Sequence, residues 1–199
     1  EYLKEYEPDT KTLEKVFQLN SRYDARVNGE DASMRNVNWA LKKMEFSNLF
    51  NFGEGNTVNF EKLNGVVGIF GKNYSGKSSV IDSMLYTVYN SISKNTRKNL
   101  NMINQNKPAA SGRVEIDIAG KTYIIERKSE KYTKKLHGEE TEEAKTDVEF
   151  TMIDPATNEP VSLNSLDRNG TDKAIRKIFG SLDDFLLTSM SSQMGAMTF

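Results

Sequence analysis

The chain has 199 residues, with Lys plus Arg numbering 27 and Asp plus Glu 28, for a formal charge of −1. That balance excludes recruitment to nucleic acid by net charge alone, so any basic face must be local. The absence of cysteine excludes a disulfide framework and a cysteine zinc site and fits a reducing compartment, and no apolar run approaches the ~20 residues that cross a bilayer.

Residues 1–10, "EYLKEYEPDT", lack the basic start and apolar middle of a signal peptide. The chain begins without Met and stops at "GAMTF", which leads us to expect a piece of a longer protein. Residues 9–27 read as a helix, with Asp9 or Thr10 as cap and Leu13, Val16 and Phe17 on one face. "NGEDASMRN" is a loop, and residues 1–38 are expected to form a helical leader or linker, or the end of an upstream domain. The main unit is expected over 39–199, with Trp39 as an anchor at the junction. "WALKKMEFSNL" ends in a strand, "NFGEGN" turns, and "TVNFEKL" alternates as a second strand.

"GVVGIF" (65–70) is continuously apolar, as expected of a strand buried on both faces. Residues 77–92 place Val80, Ile81, Met84, Leu85 and Val88 at helical spacing. "GRVEIDIAGKTYIIERK" (112–128) reads as a hairpin about Ala-Gly, and the charged stretch 128–147 as an exposed loop or hairpin tip that contains His137, the sole histidine. "VEFTMID" (148–154) is a further strand. Residues 171–180 and 181–189 are two short helices, with Thr171 or Ser181 as candidate caps. Met190, Met194 and Met197 suit packing against the sheet or a partner.

Between the apolar run and the helix stands "GKNYSGKS" (71–78), which satisfies G-x-x-x-x-G-K-[ST] at every fixed position. Gly71 and Gly76 permit backbone turns that aim successive N–H groups at phosphate oxygens. The helix that follows points its positive end at the same anion. Lys77 reaches the β- and γ-phosphates and Ser78 offers a hydroxyl to Mg2+. Hydrolysis also needs a metal- and water-activating acid, usually Asp-Glu closing a buried strand, and none is found. Asp154 is followed by Pro155, and Asp183 and Asp184 suit the first turn of a helix.

The stretch from about Leu41 to Phe199 resembles the amino-terminal half of the SbcC-type ATPase subunit of the exonuclease complex that processes DNA double-strand breaks, in the SMC-like branch of the ABC ATPases. The resemblance rests on three pieces in order: "KKMEFSNLFNFGEGNTVNFEKLNGVVGIFGKNYSGKSSVIDSMLYTVYN", "TRKNLNMINQNKPAASGRVEIDIAGKTYIIERK" and "DDFLLTSMSSQMGAMTF". It implies an α/β P-loop NTPase fold, the ABC/SMC-type head lobe, with a mixed sheet and an antiparallel β-hairpin subdomain, truncated before a coiled coil. It further implies that Asn73, Tyr74, Ser75, Gly76, Lys77, Ser78 and Ser79 hold the nucleotide, that Ser78 and Gln193 bind Mg2+, and that Gln193 and Lys77 act in catalysis. Ser47 and Asn48 stand where the family makes phosphate-side contacts, often through an arginine that this chain lacks. The stretch 94–98 lies where the family approaches the adenosine or DNA.

The cofactors implied are ATP and Mg2+. The partners implied are the chain's own carboxyl-terminal lobe, a second ATPase head in an ATP-dependent homodimer, a metallophosphoesterase-type nuclease and double-stranded DNA, with no membrane. The expected location is cytoplasmic or nucleoid-associated. Alternatives are an SMC or RecF-like DNA-binding ATPase without a nuclease, and a P-loop kinase of small molecules. A carboxyl-terminal coiled coil with a Cys-x-x-Cys hook would separate the first from the main reading, and acids, lid arginines and an acceptor site would mark the second.

Overall fold

The structure is a computed structural model and describes residues 10–27, 39–73, 75–93, 99–136 and 139–190. The chain divides into two units, Glu1–Asn36 and Val37–Phe199. In the first, α1 spans Thr10–Val27. Its expected apolar face holds in part: Leu13 and Val16 are half-buried, whereas Phe17 is exposed.

The second unit is built on a six-stranded sheet in the order β2-β1-β3-β4-β5-β6. The strands are β1 (Trp39–Ser47), β2 (Asn56–Asn59), β3 (Ala109–Ile118), β4 (Lys121–Leu136), β5 (Glu139–Ile153) and β6 (Pro160–Ser162). Every pairing is antiparallel. Period-two patterning explains the two faces. Along β3 the residues alternate, with Ala110, Gly112, Val114, Ile116 and Ile118 buried. Ala119 and Gly120 close the β3–β4 turn with φ of 51° and 81°, the left-handed pair that a tight two-residue hairpin needs. The opposite face is charged: Arg113 sits among Glu45, Glu115 and Glu126.

Three helices follow the same logic. α2 (Lys77–Tyr89) lies on β3 and β4, and α3 (Arg168–Phe179) packs on β5 and α2. α4 (Leu182–Ser189) follows directly. Met44, Phe46, Val114, Ile116, Ile125 and Phe150 from the sheet meet Leu85, Tyr86, Val88 and Tyr89 of α2 and Ile175 and Phe179 of α3 in one core. Trp39 stacks on Phe185 (5.7 Å between centroids) and meets Phe179 edge-on (6.1 Å). It therefore joins β1 to α3 and α4.

Several expectations are corrected. Residues 65–70 belong to no strand: Val66 and Phe70 are 104% and 94% exposed. A strand buried on both faces needs neighbours on both sides, and no described strand pairs with this run. The sheet accordingly holds only antiparallel pairs. Residues 56–62 are a short strand followed by a single 3-10 turn, Phe60–Lys62. The hairpin is longer than 112–128. β4 and β5 stay paired from Thr122↔Ile153 out to Leu136↔Glu139, so most of 128–147 is a two-stranded ribbon. Opposite charges face each other there, with Lys134 near Glu143 (3.6 Å) and Lys135 near Glu140 (2.8 Å), and such cross-strand pairs favour one register. His137 lies outside the described residues. α3 begins at Arg168, capped by Asp167, whose carboxylate accepts the Gly170 N–H (2.7 Å). Thr171 is inside that helix, while Ser181 caps α4 in a reciprocal box with Asp184.

Helix α2 approaches the sheet closely at Gly112, where an added Cβ would stand 2.0 Å from Thr87 Oγ1. Thr87 cannot turn away at no cost, because that hydroxyl donates to the Ser83 carbonyl (2.8 Å). Overpacking of this kind costs about 1–3 kcal/mol. Gly112→Ala should therefore lower the unfolding free energy by about 2 kcal/mol in denaturant titration. Thr87→Ala in the same chain should recover part of the loss, and equal stability of Gly112→Ala and the unsubstituted chain would show the approach to be looser than described.

Candidate nucleotide-binding site

The loop 71–79 leads into α2 without a regular strand before it. Gly76 is the residue before the helix, with φ of 90°, a backbone region that side chains rarely adopt. At Gly71 an added Cβ would come within 2.7 Å of Ser75 Oγ, so the turn closes on itself there. The loop is held by Ser75 N–H to the Lys72 carbonyl (3.2 Å) and Ser79 N–H to the Gly76 carbonyl (3.0 Å). The Lys77 ammonium folds back over it, donating to the carbonyls of Gly71 (2.9 Å) and Lys72 (2.7 Å).

The start of α2 differs from the other helix starts of this unit. α3 and α4 are capped by Asp167 and Ser181, but Gly76 provides no side-chain cap for α2. The first amides of a helix have no intrahelical acceptor, and the helix dipole makes that end attractive to an anion. With an ammonium beside it, this end of α2 suits a polyphosphate. Gly71, Lys72, Asn73, Ser75 and Ser78 are exposed, and Gly76, Lys77 and Ser79 are half-buried. The residues present thus fit a polyphosphate, and Ser78, in the first turn of α2, is exposed beside the loop. Among the described residues no group of three or more His, Cys, Asp or Glu stands together to hold a metal.

Ser47 and Asn48 close β1 on a turn that reaches the loop. Ser47 Oγ accepts the Gly55 N–H (3.0 Å), so that hydroxyl is engaged within the turn. Asn48 has φ of 56°, and its buried Oδ1 has no hydrogen-bond partner. Its N–H donates to the Gly53 carbonyl and its own carbonyl accepts from Asn104 (2.9 and 2.8 Å). Phe52, at the tip, meets Phe46 edge-on at 5.0 Å and lies where a Cβ on Gly76 would be 3.5 Å from its ring. Asn104 Nδ2 donates to the Phe52 carbonyl (3.1 Å), and Leu49 bridges Ile103. The structure therefore brings the 48–53 turn, the 102–104 segment and the phosphate loop together. Tyr74, Gln193, Met194, Met197 and the 94–98 stretch lie outside the described residues; Met190 packs on the core.

Two of the acids weighed from sequence, Asp154 and Asp184, have local partners. Asp154 closes a turn, its carboxylate accepting the Ala156 N–H (2.9 Å). Asp184 completes the α4 cap. Three contacts around α2 were not read from the sequence: Phe52 on Gly76, Asp82 on Ser93, and Arg127 at the helix end. Asp82 Oδ1 accepts from both the backbone and hydroxyl of Ser93 (2.9 and 2.7 Å). Tyr86 shares a buried hydroxyl chain with Ser129 and Thr146 (2.6 Å at each step), and Thr146 accepts from Asn99 Nδ2 (2.6 Å). Burial pushes the Tyr86 phenol up to about 12, so it stays protonated in that chain. Polar residues recurring along α2 were the available signal for Asp82 and Tyr86; the Tyr86 partner, Ser129, is too distant in sequence to name.

The AAA domain family matches residues 43–196. The uncharacterized protein R555 of Acanthamoeba polyphaga mimivirus is 28% identical over 96% of this chain and 15% of its own length. The SbcC component of the nuclease SbcCD from Clostridium acetobutylicum is 29% identical over 76% of this chain and 13% of its own. The DNA double-strand break repair Rad50 ATPase of Sulfolobus acidocaldarius is 35% identical over 37% of this chain and 8% of its own. The chain thus spans only a small part of each relative's length. With the antiparallel sheet, α2 and its glycine loop in this order, the chain belongs to the AAA domain family.

Proposed function

We propose that this chain is the ATP-binding lobe of a DNA-repair ATPase, in which ATP binding and hydrolysis gate the access of a nuclease to DNA ends. The observation that carries the reading is the uncapped amino end of α2 beside the Lys77 ammonium. In this reading the amides of the loop and Lys77 hold the β- and γ-phosphates, and Ser78 and Gln193 hold Mg2+. Bound Mg2+ neutralises charge that develops on the transferring phosphoryl group, and the protein's part is positioning and electrostatic stabilisation. The acid that activates water would come from the carboxyl-terminal lobe, and a second head would complete each site, so residues 1–199 alone should turn over ATP poorly.

The exposed run 65–70 supports that partnership. Burying a Val, Ile or Phe side chain is worth about 1.5–3 kcal/mol, and Val66, Val67, Ile69 and Phe70 are all at least half exposed. Strands from the carboxyl-terminal lobe on either side would cover them. The SbcC and Rad50 relatives, a nuclease component and a double-strand-break repair ATPase, favour DNA ends as the setting. Residues 1–38 would be a linker or the end of an upstream domain, such as a fused nuclease, and 39–199 the lobe itself. The match to R555 covers more of the chain than 39–199 alone supplies. A full-length reading frame without phosphoesterase motifs upstream would remove the fused nuclease. No helix among the described residues is long and apolar enough to cross a membrane, and a cytoplasmic or nucleoid-associated location is proposed with the function.

Two outcomes are expected. ATP hydrolysis by the full-length natural chain should rise with linear double-stranded DNA and fall about 100-fold in Lys77→Ala, the scale for losing one group that stabilises transition-state charge. Turnover indifferent to Lys77 would sink the reading, and turnover indifferent to DNA would detach it from DNA ends. The β4–β5 ribbon, whose lysines face glutamates, should not be part of the DNA contact. Lys134→Ala with Lys135→Ala should leave DNA affinity within about twofold at fixed salt, whereas loss of phosphate contacts would weaken binding and flatten its salt dependence.

A further inference from the structure

Arg127 heads the fully buried side chains among the described residues. It lies in β4 on the core face, opposite Gly112 of β3 and Val148 of β5. Its Nε donates to the Thr87 carbonyl (3.0 Å), and Nη2 donates to the Val88 carbonyl (3.4 Å) and to Asp172 Oδ1 (2.6 Å). Its Nη1 has no hydrogen-bond partner. Asp172 belongs to α3 and is itself only 13% exposed. Thr87 and Val88 are in the last turn of α2, where carbonyls lack intrahelical donors and the dipole is negative. The guanidinium therefore caps α2 from a neighbouring strand, and α3 holds the guanidinium.

A buried ion pair is weak evidence of stabilisation, since a packed apolar pair of similar volume is often as stable. This one also leaves a donor unpaired. What it supplies is direction. α2 has 13 residues and is therefore about 20 Å long. Its far end carries Lys77 and Ser78. A tilt of about 3° at the Arg127 end of a rod that long moves the other end by about 1 Å, and an error of that size in catalytic groups can cost about 100-fold in rate.

We infer that Arg127, held by Asp172, is a positioning residue for the phosphate loop, pinning the carboxyl end of α2 so that Lys77 and Ser78 keep their places. The inference rests on the ATPase reading proposed above. It is tested in the full-length chain with Asp172→Asn, which keeps the volume and removes the charge, and with Arg127→Lys, which keeps the charge and loses the fork. kcat and KM for MgATP are measured with DNA present, beside thermal unfolding without nucleotide. Each variant should lose at least about tenfold in kcat with KM within about threefold, because the displaced groups meet the reacting phosphate rather than the whole nucleotide. Asp172→Glu should recover part of the loss. Unchanged kcat in a folded Asp172→Asn would overturn the inference. So would a loss that vanishes on cooling to a temperature where the variant is fully folded. Lys77-independent turnover in the unsubstituted chain would instead overturn the ATPase reading, and this inference with it.

Discussion

Helix α2 can lie on the sheet at its observed distance only because residue 112 carries no side chain. With Thr87 seated over Gly112, the neighbouring turns bring Leu85, Tyr86, Val88 and Tyr89 onto the core face of β3 and β4. The helix then leaves its first turn beyond the packed region, and that turn follows the phosphate loop. A close helix–sheet approach in the middle and an open amide end in front are two consequences of one placement.

Polar contacts complete that placement where apolar packing cannot. Asp82 ties the helix to Ser93 just after it, and Tyr86 ties it through Ser129 to Thr146 and Asn99. The Phe52 ring lies beside the loop, 3.5 Å from where a Cβ on Gly76 would stand. The Tyr86 and Phe52 links join segments far apart in the chain and meet only when the sheet has formed. They leave the run 65–70 uncovered, so the apolar surface before the loop and the polar surface after it have opposite fates within this unit.

The sheet's two faces and its ribbon divide charge in a way that composition hides. The near-equal charge counts are matched locally: Arg113 sits among three glutamates, and Lys134 and Lys135 of β4 face Glu143 and Glu140 of β5. The stretch 128–147 read as an exposed loop or a hairpin tip because of its dense charge, and the paired ribbon is the second of these. Across a hairpin the same charges are complementary neighbours and define a register.

Local patterns made much of the fold legible. The amphipathic spacing after Lys77, the alternation of Val114, Ile116 and Ile118, the Ala-Gly turn and the Ser181 cap each depend on residues within a few positions, and each appears in the structure. The phosphate-loop pattern was legible for the same reason, since its glycines, lysine and serine act through their own backbone. The apolar run misled because continuous hydrophobicity reports a need for cover and says nothing of who supplies it. That a glycine loop opens a helix beside a lysine follows from the local residues alone, because those constraints are short-range. Folding alone sets Phe52 beside Gly76, Asp82 on Ser93, and Arg127 with Asp172 at the far end of α2. Those contacts depend on strand order and helix tilt, which long-range packing settles.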